Sequence, residues 1–177
     1  MESEAINMAI SLTKGQKINL SKADGSQLTN ILIGLGWKEV QASGGLFGMF
    51  KQKVDVDIDA SVLMLDAGGK IPSPEEVIFF NHKDHATCCI HHCGDNLVGG
   101  KMGGMDDSEQ IQVDLTKVPQ GIERIVFIVN IYDCVKRKQH FGMVENAYIR
   151  IVDQGSQETI ASYNLTEDYS GKTSMIV

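Results

Sequence analysis

Val56-Asp57-Ile58-Asp59-Ala60-Ser61-Val62-Leu63-Met64-Leu65 opens with apolar and acidic residues in alternation and closes as a nearly continuous apolar run. Successive side chains of a strand point to opposite faces. The first half therefore reads as a strand with its acids on one face, and the second half as the same strand entering a core. An EF-hand reading is tempting, because Asp55, Asp57 and Asp59 start such a loop and Asp66 falls at its twelfth position. It fails on two residues and on its flanks. Ala60 stands where the sharp turn needs Gly, the twelfth ligand is usually Glu, and nothing helical surrounds the segment. For a lone acidic strand the plain alternative is a solvated face, and Asp55 fits that best.

Outward from this stretch, period-two patterning dominates. Short strands are expected around Ile6 to Ile10, Ile18 to Leu20, Ile31 to Trp37 and Leu46 to Lys51. Further strands are expected over Ala60 to Leu65, Val77 to Phe80, Thr87 to His92, Ile111 to Leu115, Ala147 to Val152 and Thr159 to Leu165. Ile125-Val126-Phe127-Ile128-Val129-Asn130-Ile131 is apolar on both faces and predicts a central strand. Gly34 and Gly36 within the second apolar run allow close backbone packing or a bulge. Long helical periodicity is absent; only Glu2 to Leu12 could also be forced into a short helix. Many evenly spaced strands predict a mainly β fold, a single-domain antiparallel β-sandwich with long functional loops.

Composition narrows the function. The 177 residues suit one domain, and a hydrophobic fraction of 42% excludes a disordered chain. The net charge of −7 argues against a nucleic-acid partner and suits cations or basic protein surfaces. No segment approaches the ~20 apolar residues of a membrane span, and Met1-Glu2-Ser3-Glu4 lacks the basic start of a signal peptide. A cytoplasmic protein is the expectation. Cys88, Cys89 and Cys93 are too crowded for a disulfide framework and suggest reduced thiols.

A second acidic segment is expected to meet the first. Gly94-Asp95-Asn96 leads into a glycine-rich loop that ends in Asp106-Asp107-Ser108-Glu109-Gln110-Ile111. Carboxylates crowded at the end of a packed strand repel one another and lose water. A hard cation such as Ca²⁺, which takes six to eight oxygens, relieves both costs.

Here the chain resembles the TerD family of tellurite-resistance and stress-response proteins. The matching pieces are Gly34-Leu35-Gly36-Trp37, Val56 to Ser61, Gly94-Asp95-Asn96, Glu109-Gln110-Ile111, Phe141-Gly142 with Asn146-Ala147, Ile149 to Asp153 and Tyr163 to Asp168. They occur in the family's order from about Leu12 to about Met175. The resemblance implies one TerD-like domain over residues 1–177, a β-sandwich with Ca²⁺ in an acidic groove. It also implies a stress-response role without catalytic activity and a protein partner, such as a membrane-associated stress complex. Asp57, Asp59, Asp95 and Asn96 match the motif acids and amide, and Asp106, Asp107 and Glu109 match the end of the acidic loop. Val98 to Met105 departs from the pattern, because Gly100, Lys101 and Met102 stand where acids are common. Fewer or weaker calcium sites follow. Family members also run on into further strands beyond the position of Val177.

Three other constellations compete. His82, His85, Cys88, Cys89, His91, His92 and Cys93 suggest a soft-metal or redox protein, but strand alternation would split them between two faces. The expected arrangement is cysteines in the core and histidines exposed. A metal-assisted hydrolase would use the same acids with His85 or His92 as base. No nucleophile elbow, zinc-protease motif, P-loop or dinucleotide fingerprint is present. The run Lys136-Arg137-Lys138 reads as a solvated turn or as a contact for an acidic partner or lipid head groups.

Overall fold

The computed structural model describes residues 10–12, 26–39, 56–94, 107–165 and 171–176. Among them are strands β1 (Ile10–Leu12), β2 (Asn30–Glu39), β3 (Ile58–Leu65), β4 (Val77–Ile78) and β5 (Ile90–His92). They continue as β6 (Glu109–Asp114), β7 (Arg124–Ile131), a one-turn helix α1 (Cys134–Arg137), β8 (Val144–Asp153), β9 (Thr159–Asn164) and β10 (Ser174–Ile176). Short 3-10 turns lie at Pro74–Glu76, Leu115–Lys117 and Phe141–Met143.

The strands form two sheets. One has six strands in the order β1-β9-β8-β2-β6-β5, and the other has four in the order β10-β7-β3-β4. Their apolar faces enclose one core. Ile58, Ala60, Val62 and Met64 come from β3, Ile31, Ile33 and Leu35 from β2, and Ile111 and Val113 from β6. Full burial of such a side chain stabilises by about 1.5–3 kcal/mol, so this shared face holds the two layers together. The expected mainly β, sandwich-like architecture is what the structure has. Trp37 adds a polar tie between the layers, its indole N–H donating to the Val56 carbonyl at 3.1 Å.

Several expectations are refined. β7 lies between β10 and β3, the interior place its apolar sequence predicts. One pair departs from the antiparallel rule, since β1 runs parallel to β9. The two strands are far apart in sequence, so no tight turn dictates their direction. Ile10–Leu12 is a strand, which removes the helical option at its described end. The Thr87 to His92 run is shorter than expected, because Cys88 adopts a left-handed backbone (φ 55°) and only Ile90–His92 pairs. α1 and β10 were not expected. The runs around Ile18 and Leu46 lie outside the described residues, as do Asp55, Asp95, Asn96 and Asp106.

Candidate acidic site

Asp59 lies in β3 and Asp57 just before it. Their neighbours Val56, Ile58 and Ala60 face the core, so the two acids share the outer face of the four-stranded sheet. Each is nevertheless only 4% exposed. Asp59 stands opposite Asn130 of β7, whose side-chain amide lies 3.5 Å from its Oδ2. The Arg137 guanidinium lies 3.8 Å from Asp57 Oδ2. The Asp57 carbonyl also accepts the Tyr132 N–H at 2.9 Å, which ties α1 to this end of β3.

Glu109 reaches the same strand from the other layer. It sits opposite Leu35 on the inner face of the six-stranded sheet, and its Oε2 accepts the Ala60 N–H at 2.9 Å. His92 of β5 completes the bridge, with Nε2 3.2 Å from the Ala60 carbonyl. Its Nδ1 accepts the Gly94 N–H at 3.2 Å, so a hydrogen on Nε2 satisfies both contacts. β4 pairs with β3 at Val62 and Leu63. At Ala60, beyond that pairing, two side chains supply what a neighbouring strand would supply. Buried backbone groups require such partners.

Asp107 is turned elsewhere. Its carboxylate is fully buried on the outer face of the six-stranded sheet. Arg150 donates to it twice, Nε to Oδ1 at 2.8 Å and Nη2 to Oδ2 at 2.9 Å. Tyr148 Oη donates to Oδ1 at 3.0 Å and Gln110 Nε2 to Oδ2 at 3.1 Å. Four short bonds, two of them a charged fork, saturate this carboxylate. Room for it comes from glycine. A Cβ on Gly34 would collide with the Asp107 carboxylate, and one on Gly36 with the Tyr148 ring. Both expected uses of these glycines occur, since the β2–β8 register also shifts between Gly36 and Lys38.

Among the sequence-predicted acids, Asp57 and Asp59 thus share one face, Glu109 supports the strand from behind, and Asp107 is held apart. Among the described residues no three His, Cys, Asp or Glu side chains are arranged to hold a metal ion. Arg150, Tyr148, Gln110 and Arg137 were missed as site residues. The signal was the pair of glycines, whose meaning depends on which strand lies alongside.

The histidine and cysteine segment corrects two expectations. His85 and His92 are buried, whereas Cys88 is exposed. His85 sits 3.2 Å from Glu76 and 2.9 Å from the Thr87 hydroxyl, and His92 is engaged at Ala60 and Gly94. Both rings are engaged with the fold. Burial pushes the Cys89 and Cys93 thiols up, opposite to what a reactive thiolate requires. Asp66 is a turn former, accepting the Lys70 N–H at 2.9 Å.

Comparison with known proteins agrees with the resemblance. The family model described as "TerD domain" matches residues 8–177. The chain is 47% identical to "Stress response protein SCP2" of Bacillus subtilis (strain 168), over 96% of this chain and 83% of that protein. It is 38% identical to "Tellurium resistance protein TerD" of an Alcaligenes species, over 96% of this chain and 81% of that protein. A solved structure of a telluride resistance protein (TerD) homologue from Streptomyces coelicolor A3(2) shares the fold. Its TM-score is 0.63 at 16% identity, covering 85% of this chain and 79% of that one. With these matches over nearly its whole length, the chain belongs to the TerD family.

Proposed function

We propose that this chain is a non-enzymatic, calcium-binding stress-response protein in which the ion orders an acidic groove for a protein partner. One observation carries the reading: Asp57 and Asp59 are two like charges on one strand face, both 4% exposed. Burying carboxylates is costly unless opposite charge or hydrogen-bond donors compensate. Calcium compensates both at once and tolerates irregular geometry. Asp95, Asn96 and Asp106 complete the proposed oxygen set, on the strength of the family resemblance. Asp107 and Glu109 are assigned supporting roles, because Asp107 is saturated by Arg150 and Glu109 is committed to Ala60. Gly94, the residue before Asp95 in the sequence, donates its N–H to His92, which in turn lies against the Ala60 carbonyl. The relatives' names speak of stress response and tellurium resistance and of no reaction.

Thermal melting in excess calcium and in chelator tests this reading. At a free ion concentration ~100 times the dissociation constant, binding stabilises by about 2.7 kcal/mol. Magnesium, which demands a near-ideal octahedron, stabilises much less. Equal melting temperatures in calcium and chelator contradict the proposal.

A further inference from the structure

Beyond the Tyr132 and Arg137 contacts with Asp57, α1 carries an outward tip that neither the fold nor the acidic site uses. The turn Tyr132 to Lys138 closes with Arg137 N–H donating to the Asp133 carbonyl and Gln139 N–H to the Cys134 carbonyl. Cys134 packs against the core, which turns the next side chain outward. That side chain is Val135, 87% exposed. Tyr132 beside it is 46% exposed. Both flanks of the turn, Asp133 and Lys138, adopt left-handed backbones at φ 50° and 54°. Neither is glycine, so the tip is held in a conformation that costs energy.

Around the apolar tip stand Lys136, Arg137 and Lys138, with Asp133 as the acid of the turn. This is a local reversal of charge on a chain of net charge −7. Lys136 is 84% exposed at its side chain and lies 3.5 Å from Asp133. The Arg137 guanidinium stacks 5.4 Å from the Tyr132 ring centroid. Phe80 braces Tyr132 edge-on, with ring centroids 6.3 Å apart.

We infer that this tip docks on an anionic phospholipid surface. Val135 and Tyr132 would enter the interfacial layer while Lys136, Arg137 and Lys138 meet the head groups. A peptide partner would need a groove or a free strand edge; the tip instead presents one protruding aliphatic side chain ringed by cations. That is the combination interfacial anchors use, apolar insertion plus attraction to anionic lipid. Aromatic rings of the Tyr type settle at head-group depth. Each surface cation adds about 1 kcal/mol of attraction, so three correspond to roughly a hundred-fold in partitioning at low salt, before Asp133 beside Lys136 and Asp57 beside Arg137 are counted against them. The inference goes beyond the calcium proposal and does not rest on it.

Co-sedimentation of the full chain with vesicles tests it, in chelator so that the result is separate from any calcium response. Vesicles of phosphatidylcholine alone are compared with vesicles that also contain phosphatidylglycerol, at low and high salt. At low salt the anionic vesicles should bind at least roughly ten-fold more protein, and high salt should remove the difference. Val135→Asp and the double variant Lys136→Glu/Lys138→Glu should each abolish the excess. All three positions are exposed, so circular dichroism should show both variants folded. Equal binding to the two vesicle types overturns the inference, as do folded variants that bind like the parent.

Discussion

Asp107 and the Asp57–Asp59 pair are buried acids of one small sandwich, yet the chain treats them in opposite ways. Asp107 lies between strands that bring a guanidinium fork, a phenol and an amide to its two oxygens, all at 2.8–3.1 Å. Asp57 has the Arg137 guanidinium at 3.8 Å and Asp59 the Asn130 amide at 3.5 Å among their partners. The first arrangement satisfies both carboxylate oxygens with donors from the protein. The second has its two acids side by side on one strand face. Three letters of one residue type thus carry a structural clamp in one sheet and a candidate ion site in the other. Their partners decide which is which.

The largest expected effect breaks the clamp. Arg150→Ala leaves the Asp107 carboxylate buried without its main counter-charge, and should cost about 3–5 kcal/mol in urea unfolding. Arg137→Ala removes a half-exposed guanidinium from Asp57 and should cost no more than about 1 kcal/mol. The double variant Asp107→Asn/Arg150→Met should recover part of the loss, since replacing both partners avoids the orphaned charge. Equal costs for the two arginine variants would erase the distinction between the regions.

Gly36→Ala probes the same clamp through its packing. The added methyl meets the Tyr148 ring, whose hydroxyl holds Asp107. Overpacking of this kind should cost about 1–3 kcal/mol, read as a lower denaturation midpoint at unchanged slope. A midpoint like the parent's would mean that Tyr148 moves freely and that the clamp is looser than described.

The smallest effect provides a partly exposed acid as a reference. Asp114 accepts from the Thr116 hydroxyl and lies 2.9 Å from Lys117. Those two contacts hold its carboxyl below the usual carboxylate range. A depressed folded-state value contributes stability above the unfolded value of about 3.9, and that contribution disappears as pH falls through the folded value. Asp114→Asn should therefore be slightly less stable than the parent at neutral pH and match it in strong acid. A gap that persists in acid would assign the role of Asp114 to hydrogen bonding alone.

Much of the fold was legible because strand periodicity is a local signal. Ile58–Leu65, Arg124–Ile131 and Val144–Asp153 stand close to where alternation and apolar runs put them. α1 was not, since Cys134 to Arg137 has no amphipathic stripe and is held by left-handed flanks and one partly buried cysteine. The acidic residues were legible as candidates but not as roles. Asp106 and Asp107 look alike in sequence, and only the neighbouring strand reveals that Arg150 and Tyr148 claim Asp107. The buried histidines show the same limit. His92 reads as an exposed strand residue until the other sheet supplies the Ala60 backbone it must satisfy.

Calorimetric titration of calcium into three proteins side by side tests the division of roles most directly: the parent, Asp57→Asn/Asp59→Asn, and Asp107→Asn. The parent should bind, and the first variant should lose most of the heat and the affinity, because it removes two charged ligands. It should also be no less stable than the parent in chelator, since two crowded like charges are gone. Asp107→Asn, if still folded by circular dichroism, should bind calcium as the parent does. Calcium binding that survives loss of Asp57 and Asp59 but vanishes with Asp107 would contradict the assignment of the clamp and the ion site.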